Sequence, residues 1–302
     1  MRRPVAMLSL ALLLLVPSHA SACSQCQCGM PFPPDALGGP APSHLRFALE
    51  EQFLSKQNGI EGAPGVEKER EHHVSALAVL RASNSTILRV RVPFVFKSIR
   101  TEPVGGPSST ETSRGLGDVE LSALVKVHEF TLAADRAMLL SAVAAVRAPS
   151  GANELKDETG VRRDEHLQSG TGAWSGLVAA DLSLPLSSGR LALNVGWRGN
   201  GQNTHGYRYG DVVLYNLGFA RRLGTNLEGS LQANGRVAKQ DRLEDGSLGE
   251  NTGGHVLYLS PGVRLFLGTW LIEGGMQFPV SSDLKGEQQE HATARVAVSL
   301  AR

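Results

Sequence analysis

The sequence predicts an all-β chain, an up-and-down antiparallel transmembrane β-barrel of about twelve strands, with ten to fourteen as the range. Three observations lead there. After residue 43 the chain is a series of short segments in which apolar and polar residues alternate. The links between them alternate long and short: long near 56–71, 100–116, 150–170, 200–209, 240–252 and 281–289, short near 83–85, 130–135, 186–188, 222–224 and 267–268. Beyond the N-terminus, no apolar run approaches the roughly 20 residues that a spanning helix needs. An exported chain of this kind enters a membrane only as closed strands, because hydrocarbon offers no partner to an unpaired backbone N–H or C=O. Barrels of the bacterial outer membrane carry short turns on the periplasmic rim and long loops outside. That rhythm puts both the N-terminal segment and the C-terminus on the periplasmic rim.

The elements follow in order. Arg2 and Arg3 precede an apolar run from Val5 to Val16 and a small-residue site at Ala20-Ser21-Ala22, so residues 1–22 read as a secretory signal peptide. Residues 23–43 form a Cys/Pro-rich periplasmic segment, and residues 44–302 the barrel. In the first barrel segment, His44 to Ser55, an amphipathic helix competes with a strand. As a strand it sends Glu51 to the lipid face, which is tolerable only near a rim. Later segments are clearer, because a period of two sends alternate side chains to opposite faces. Leu88, Val90, Val92, Phe94 and Phe96 oppose Arg89, Arg91 and Lys97. Leu121, Ala123, Val125 and Val127 oppose Glu120, Ser122, Lys126 and His128. Leu191, Leu193, Val195 and Trp197 oppose Asn194 and Arg198, and Val213, Tyr215, Leu217 and Phe219 oppose Asn216 and Gly218. Leu227 and Leu231 oppose Glu228, Gln232 and Arg236, while Leu257, Leu259 and Val263 oppose Tyr258, Ser260 and Arg264. The last segment sets Ala294, Val296, Val298 and Leu300 against Arg295 and Ser299. A soluble secreted β-sandwich also alternates, but it packs two sheets through bulky residues and does not oppose tight hairpins to long loops.

Composition excludes other classes. With Arg2 and Arg3 removed, 28 basic residues face 29 acidic ones, so no bulk charge points to nucleic acid. Charged residues make up 20% of the chain, an average that a polar lumen inside an apolar belt produces. No nucleophile elbow, phosphate-binding loop or zinc-hydrolase motif is present, and no enzymatic activity is expected. Glu71-His72-His73 and His205 lie near long links without spacing that defines a metal site, and read as solvated loop residues.

The alternation assigns a lumen. Its inward face holds Arg46, Arg81, Arg89, Arg91, Lys97, Lys126, Arg147, Arg198, Arg236, Arg264 and Arg295 against Glu50, Asp118, Glu120, Asp181, Glu228 and Glu273, eleven basic to six acidic. Charges lining so narrow an interior either pair across it and close it or border a wet path. The expectation is a passive channel for small solutes with mild anion preference.

The three cysteines stand together as Cys23, Cys26 and Cys28. Gln27 follows Cys26 where attachment of a c-type haem needs histidine. Two of the thiols would pair in an oxidising compartment, and Cys23, the first residue after the expected cleavage, is also a candidate for lipid attachment. Three thiolates also suit Cu(I), or Zn²⁺ with a fourth ligand. The alternative function is a non-conducting outer-membrane scaffold whose Cys segment binds metal or an electron-transfer partner.

Four stretches carry a resemblance: Gly115-Leu-Gly-Asp-Val-Glu-Leu121; Arg147-Ala-Pro-Ser-Gly151 followed by Gln168-Ser-Gly-Thr-Gly172; Tyr207-Arg-Tyr-Gly-Asp211 with Tyr215; and Asn251-Thr-Gly-Gly254 leading to Tyr258-Leu-Ser-Pro-Gly262 and Gln277-Phe-Pro-Val280. In this order they resemble a family of bacterial outer-membrane barrels labelled as transporters, some under a phenol-degradation pathway heading. The resemblance implies passage of small molecules, hydrophobic ones among them; an outer-membrane barrel is expected to have membrane lipid, its solute and the barrel-assembly machinery as partners. The chain departs from such barrels in ending Leu300-Ala301-Arg302, without a terminal aromatic residue.

Overall fold

The computed structural model describes residues 44–60, 65–103, 106–133 and 136–301. The expected signal peptide and the Cys segment lie outside the described residues. The strands are β1 (Leu45–Asn58), β2 (Val66–Arg81), β3 (Thr86–Glu102), β4 (Ser109–Leu116), β5 (Glu120–Ala133), β6 (Arg136–Arg147), β7 (Ser175–Leu186), β8 (Gly189–Asn200), β9 (Val212–Arg222), β10 (Leu227–Ala238), β11 (Gly254–Leu267), β12 (Trp270–Leu284), β13 (Gln288–Glu290) and β14 (Thr293–Ala301). Every pairing between them is antiparallel, and β1 pairs with both β2 and β14, which closes the sheet on itself.

Fourteen segments make twelve crossings. The upper part of β3, Phe94 to Thr101, pairs with β4, and its lower part, Thr86 to Arg91, pairs with β5. One crossing is therefore interrupted at 117–119, opposite Pro93. Proline has no N–H to give a ladder and is accommodated at such irregularities; its carbonyl still accepts from Gly117 N at 2.9 Å. In the same way β13 and β14 are one crossing, paired in turn to the two ends of β1.

Alternation becomes two faces. Leu49, Val90, Val125, Val195, Leu217 and Val296 are exposed on the outer wall, whereas Ser75, Ser122, Ser141, Asn194, Asn216 and Ser299 are buried inside. An apolar surface that encircles a closed barrel belongs in lipid. Trp174 and Trp197 are exposed toward the long-loop rim and Trp270 toward the other, as expected of interfacial aromatic girdles. The first segment is strand and not helix. Glu51 does face outward, where His72 Nδ1 meets it at 3.4 Å.

Three expected loops are corrected. Residues 66–71, 109–116 and 281–284 are strand, so β2, β3 and β12 run 16, 17 and 15 residues against 11 for β9. Their ends lack the apolar outer face because roughly 9–11 residues already cross the membrane; the remainder is wall that stands above it. The expected solvated His73 is corrected with them: strand phase turns it inward, buried against Glu71.

One interior feature departs from a purely polar lumen. Ile87, Leu124, Val143, Leu177, Val212 and Leu214 are buried together inside the barrel. They occupy the inward phase of their strands and form an aliphatic patch on one side of the interior.

Candidate functional site

The interior charges are arranged by register. Near the short-turn rim, Glu228 stands directly opposite Arg222 on β9 and Arg264 on β11, and Arg264 opposite Glu273 on β12. Opposite charges facing one another across a ladder are the stabilising arrangement. Arg264 reaches Glu228 at 3.0 Å and Glu273 at 2.9 Å, while Arg190 and Arg222 approach Glu228 at 3.4 and 3.7 Å. Arg46 and Arg81 are half-buried toward the same end, and Lys126 is taken by Glu129, three residues along, at 2.7 Å.

Higher in the barrel, Glu50 accepts from Arg295 at 2.7 Å and lies 3.5 Å from Arg91, whose Nε also donates to Ser75 Oγ at 3.0 Å. Glu120 sits in register with both Arg91 and Arg147. It holds Arg198, reaching from β8 across two strands, at 2.8 Å, and Arg147 at 3.5 Å. Arg89 is buried beside them. Arg236 reaches across β11 and β12 to Glu290 and donates to Tyr258 Oη at 3.3 Å. Asp181 takes the Asn194 amide, and Asn216 donates to Asn194 at 3.0 Å. Buried charges persist only when paired or hydrogen-bonded. This network is a lattice of shared carboxylates.

Sequence reasoning missed a third group. Lys56, Glu69, Glu71 and His73 are buried near the long-loop rim, with Lys56 3.8 Å from Glu71. Lys56, Glu69 and Glu71 fall in the stretch read as a loop and His73 just beyond it, so no strand phase was available to point them inward. Glu69, Glu71 and Glu290 add three carboxylates to the interior, and Lys56, Arg190 and Arg222 add three cations, so the basic excess that the alternation assigns is kept.

Above the lattice, residues 148–174 fold over the interior. Lys97 Nζ donates to His166 O at 2.8 Å, and Ser113 Oγ to Leu167 O at 2.5 Å. Gln168, fully buried, donates through Nε2 to the carbonyls of Leu155 and Arg163 at 3.1 and 2.8 Å, and its Oε1 accepts from Leu155 N at 2.9 Å. Asp118, expected in the lumen, is placed in the break between β4 and β5 and serves this segment. It accepts from Gly151 N at 3.0 Å, Thr171 N at 2.9 Å and Thr171 Oγ1 at 2.5 Å. Gly151 and Gly170 pack backbone to backbone, and a Cβ on Gly170 would stand 2.5 Å from the Gly151 carbonyl carbon. The quoted motifs are thus the fastenings of the cap. Another of them, Tyr207 to Asp211, meets the next loop: Tyr207 Oη donates to Asp241 Oδ2 at 2.6 Å, and Gly210 N to Asp241 Oδ1 at 2.8 Å.

Between the cap and β1–β3 lies a cavity of about 430 Å³, lined in part by Glu67, Glu69, Glu111, Arg162, Arg163 and His166. Arg162 is held by Glu165 at 2.7 Å and Glu244 at 3.2 Å. At the tip of the cap, the Thr159 hydroxyl and the Thr159 and Val161 amides hold the Asp157 carboxyl below its ordinary range.

Comparison with known proteins bears on the architecture. Neither a family profile nor a curated protein matches the sequence. Among solved structures, an outer membrane channel from Pseudomonas putida F1 aligns with 90% of this chain and 100% of its own, at TM-score 0.67 and 12% identity. The translocator domain of the autotransporter NalP from Neisseria meningitidis covers 88% of this chain and 91% of its own at 0.49 and 13%. The P. putida toluene transporter TodX covers 89% and 92% at 0.41 and 10%. At such identities the first of these speaks to fold and the others add nothing to it: the chain is a closed, twelve-stranded antiparallel barrel of the outer-membrane type.

Proposed function

We propose that the protein is a passive outer-membrane channel for small solutes, with its long loops outside the cell and both chain ends in the periplasm. One observation carries this reading: a barrel apolar on the outside holds arginines gathered around shared glutamates inside, in clusters placed from the short-turn rim to a folded cap. The path is narrow, wet at the Glu228 end and bordered by guanidinium groups that remain in basic excess, which favours anions. The aliphatic patch from Ile87 to Leu214 is buried and packs one side of the interior, which narrows the path. The P. putida neighbour described as an outer membrane channel supports the reading, and no catalytic role is proposed. Membrane lipid, the solute and the barrel-assembly machinery are its partners, and Cys23, Cys26 and Cys28 lie on the periplasmic side.

Planar-bilayer recording tests it. The expected result is a small unit conductance whose reversal potential in a salt gradient favours anions. A cation-selective current would overturn the anion preference. No current at all, with correctly folded protein, would leave the non-conducting scaffold and its Cys segment as the function.

A further inference from the structure

The tall wall formed by β1–β4 carries a second charged feature, on its outer face. Antiparallel register aligns the outward residues in rows. The uppermost row of the apolar belt contains Phe53, His72, Phe96 and Arg114. Above it come Ser55, Arg70, Ser98 and Thr112, and above that Gln57, Lys68, Arg100 and Thr110. Rows are about 7 Å apart, two residues at the strand rise, and neighbouring strands about 4.8 Å apart. Lys68, Arg70, Arg100 and Arg114 therefore share a patch about 14 Å tall and 10 Å wide.

The patch is built against local electrostatics. Lys68 and Arg100 are cross-strand partners, and like charges directly opposite one another destabilise a ladder. Glu102 offsets them only in part, at 3.3 Å from Lys68 and 3.8 Å from Arg100. Arg70 and Arg114 are exposed, and neither has an ion-pair partner among the described residues. Four cations against one carboxylate, interleaved with the hydroxyls of Ser55, Ser98, Thr110 and Thr112, call for an anion that also carries hydroxyl groups. Their height, directly above the aromatic and apolar rows, is the level of lipid headgroups.

From this charge complementarity we propose that the outer face of β2–β4 is a binding site for the phosphorylated sugar headgroup of a glycolipid in the outer leaflet. Guanidinium groups take phosphate oxygens in a bidentate fork, and the serine and threonine hydroxyls take the sugar. The proposal rests on the barrel being placed with its long loops outside, but not on conduction, since none of these side chains faces the interior.

Native mass spectrometry of the full chain folded in detergent tests it, with a bis-phosphorylated diglucosamine lipid as the probe and phosphatidylglycerol as the competing anion. The expected result is retention of one glycolipid, weakened at least tenfold in the combined variant Lys68→Gln, Arg70→Gln, Arg100→Gln, Arg114→Gln, and strengthened in Glu102→Gln, which removes the competing carboxylate. The Glu102→Gln arm reads the patch even where the combined variant folds poorly. Undiminished retention by the folded combined variant, or no strengthening in Glu102→Gln, would overturn the site. Equal retention of phosphatidylglycerol would overturn the sugar headgroup as its ligand. Bilayer conductance stays as in the parent if the site is right. Failure of the channel reading would appear there, independently of lipid retention.

Discussion

Glu120 and Glu228 each gather several guanidinium groups, yet the two clusters differ in their contact with water. Around Glu120, Arg147 and Arg198 are 5% and 2% exposed, sealed beneath the cap. Around Glu228, Arg190, Arg264 and Arg222 are 15%, 19% and 39% exposed at the short-turn rim. The same chemistry therefore does two jobs. In the dry cluster the carboxylate is what makes burial of two cations tolerable, and removing it strands them. In the wet cluster water takes over much of that task. Glu120→Gln is expected to cost about 3–5 kcal/mol, the penalty for orphaning buried charge. Glu228→Gln is expected to cost less, about 1–2 kcal/mol, because Glu228 is buried but the arginines it would orphan keep contact with water. Urea unfolding of the detergent-folded barrel measures both, and equal costs would erase the distinction. The wet cluster should show its role in selectivity instead: Glu228→Gln moves the reversal potential further toward anions, and Arg264→Gln moves it back.

The cap can be loosened without removing an ion pair of either cluster. Asp118 accepts three hydrogen bonds from 151 and 171, and hydrogen bonds to a charged group contribute roughly 1.5–3 kcal/mol each. Asp118→Ala is expected to cost about 2–3 kcal/mol, since water recovers part of the loss. The effect should be local. Trypsin cuts after Arg162 or Arg163, unit conductance rises, and the barrel keeps its folded migration on gels. Gly170→Ala should act in the same direction, because its Cβ would enter the Gly151 backbone. If conductance stays unchanged while trypsin cuts, the cap does not narrow the path, and the dry cluster beneath it is the constriction.

The crossings were legible because lipid imposes one rule on every strand: the outer face must be apolar wherever it crosses. Leu88 to Phe96 and Ala294 to Leu300 obey it without exception, and the link rhythm then counts to twelve. Where lipid stops, so does the rule. Residues 67–71 and 109–115 are polar on both faces, which is why strand there read as loop, why Glu71 and His73 read as solvated, and why Glu69 went unassigned. The inward aliphatics were hidden for another reason. Leu124 sits between Ala123 and Val125, so the window is apolar throughout and only the phase of its neighbours tells that Leu124 turns inward. Pairings such as Arg198 with Glu120, across two strands, and Asp118 with Thr171 depend on barrel closure and on the path of the cap, which no local spacing encodes. The motif Gly115 to Asp118 was visible, but its role as a fastening follows only once residues 151 and 170 lie against it.

The smallest effect distinguishes the cap from the barrel by pH. In the loops, the His205 ring bonded to Glu154 holds that carboxyl below its ordinary range, the Thr159 hydroxyl does so for Asp157, and the Ser247 hydroxyl for Asp245. At Asp211, burial pushes upward, but bonds from Lys239, the Asn200 amide and Arg208 outweigh it and leave the group lowered. A carboxyl whose folded value lies below its unfolded one adds stability that is fully present above the unfolded value, about 4. That stability is lost as pH falls through the folded value. The loops should therefore keep their order from neutral pH down to about 5 and loosen below about 4. Protection factors at the amides of Thr159, Val161 and Ser247, whose N–H groups donate to these carboxylates, should fall on acidification once the intrinsic slowing of exchange is divided out. Those at the amides of β7–β9, tied by backbone pairs alone, should not. Parallel loss of protection in loops and strands would mean that cap and barrel open as one unit.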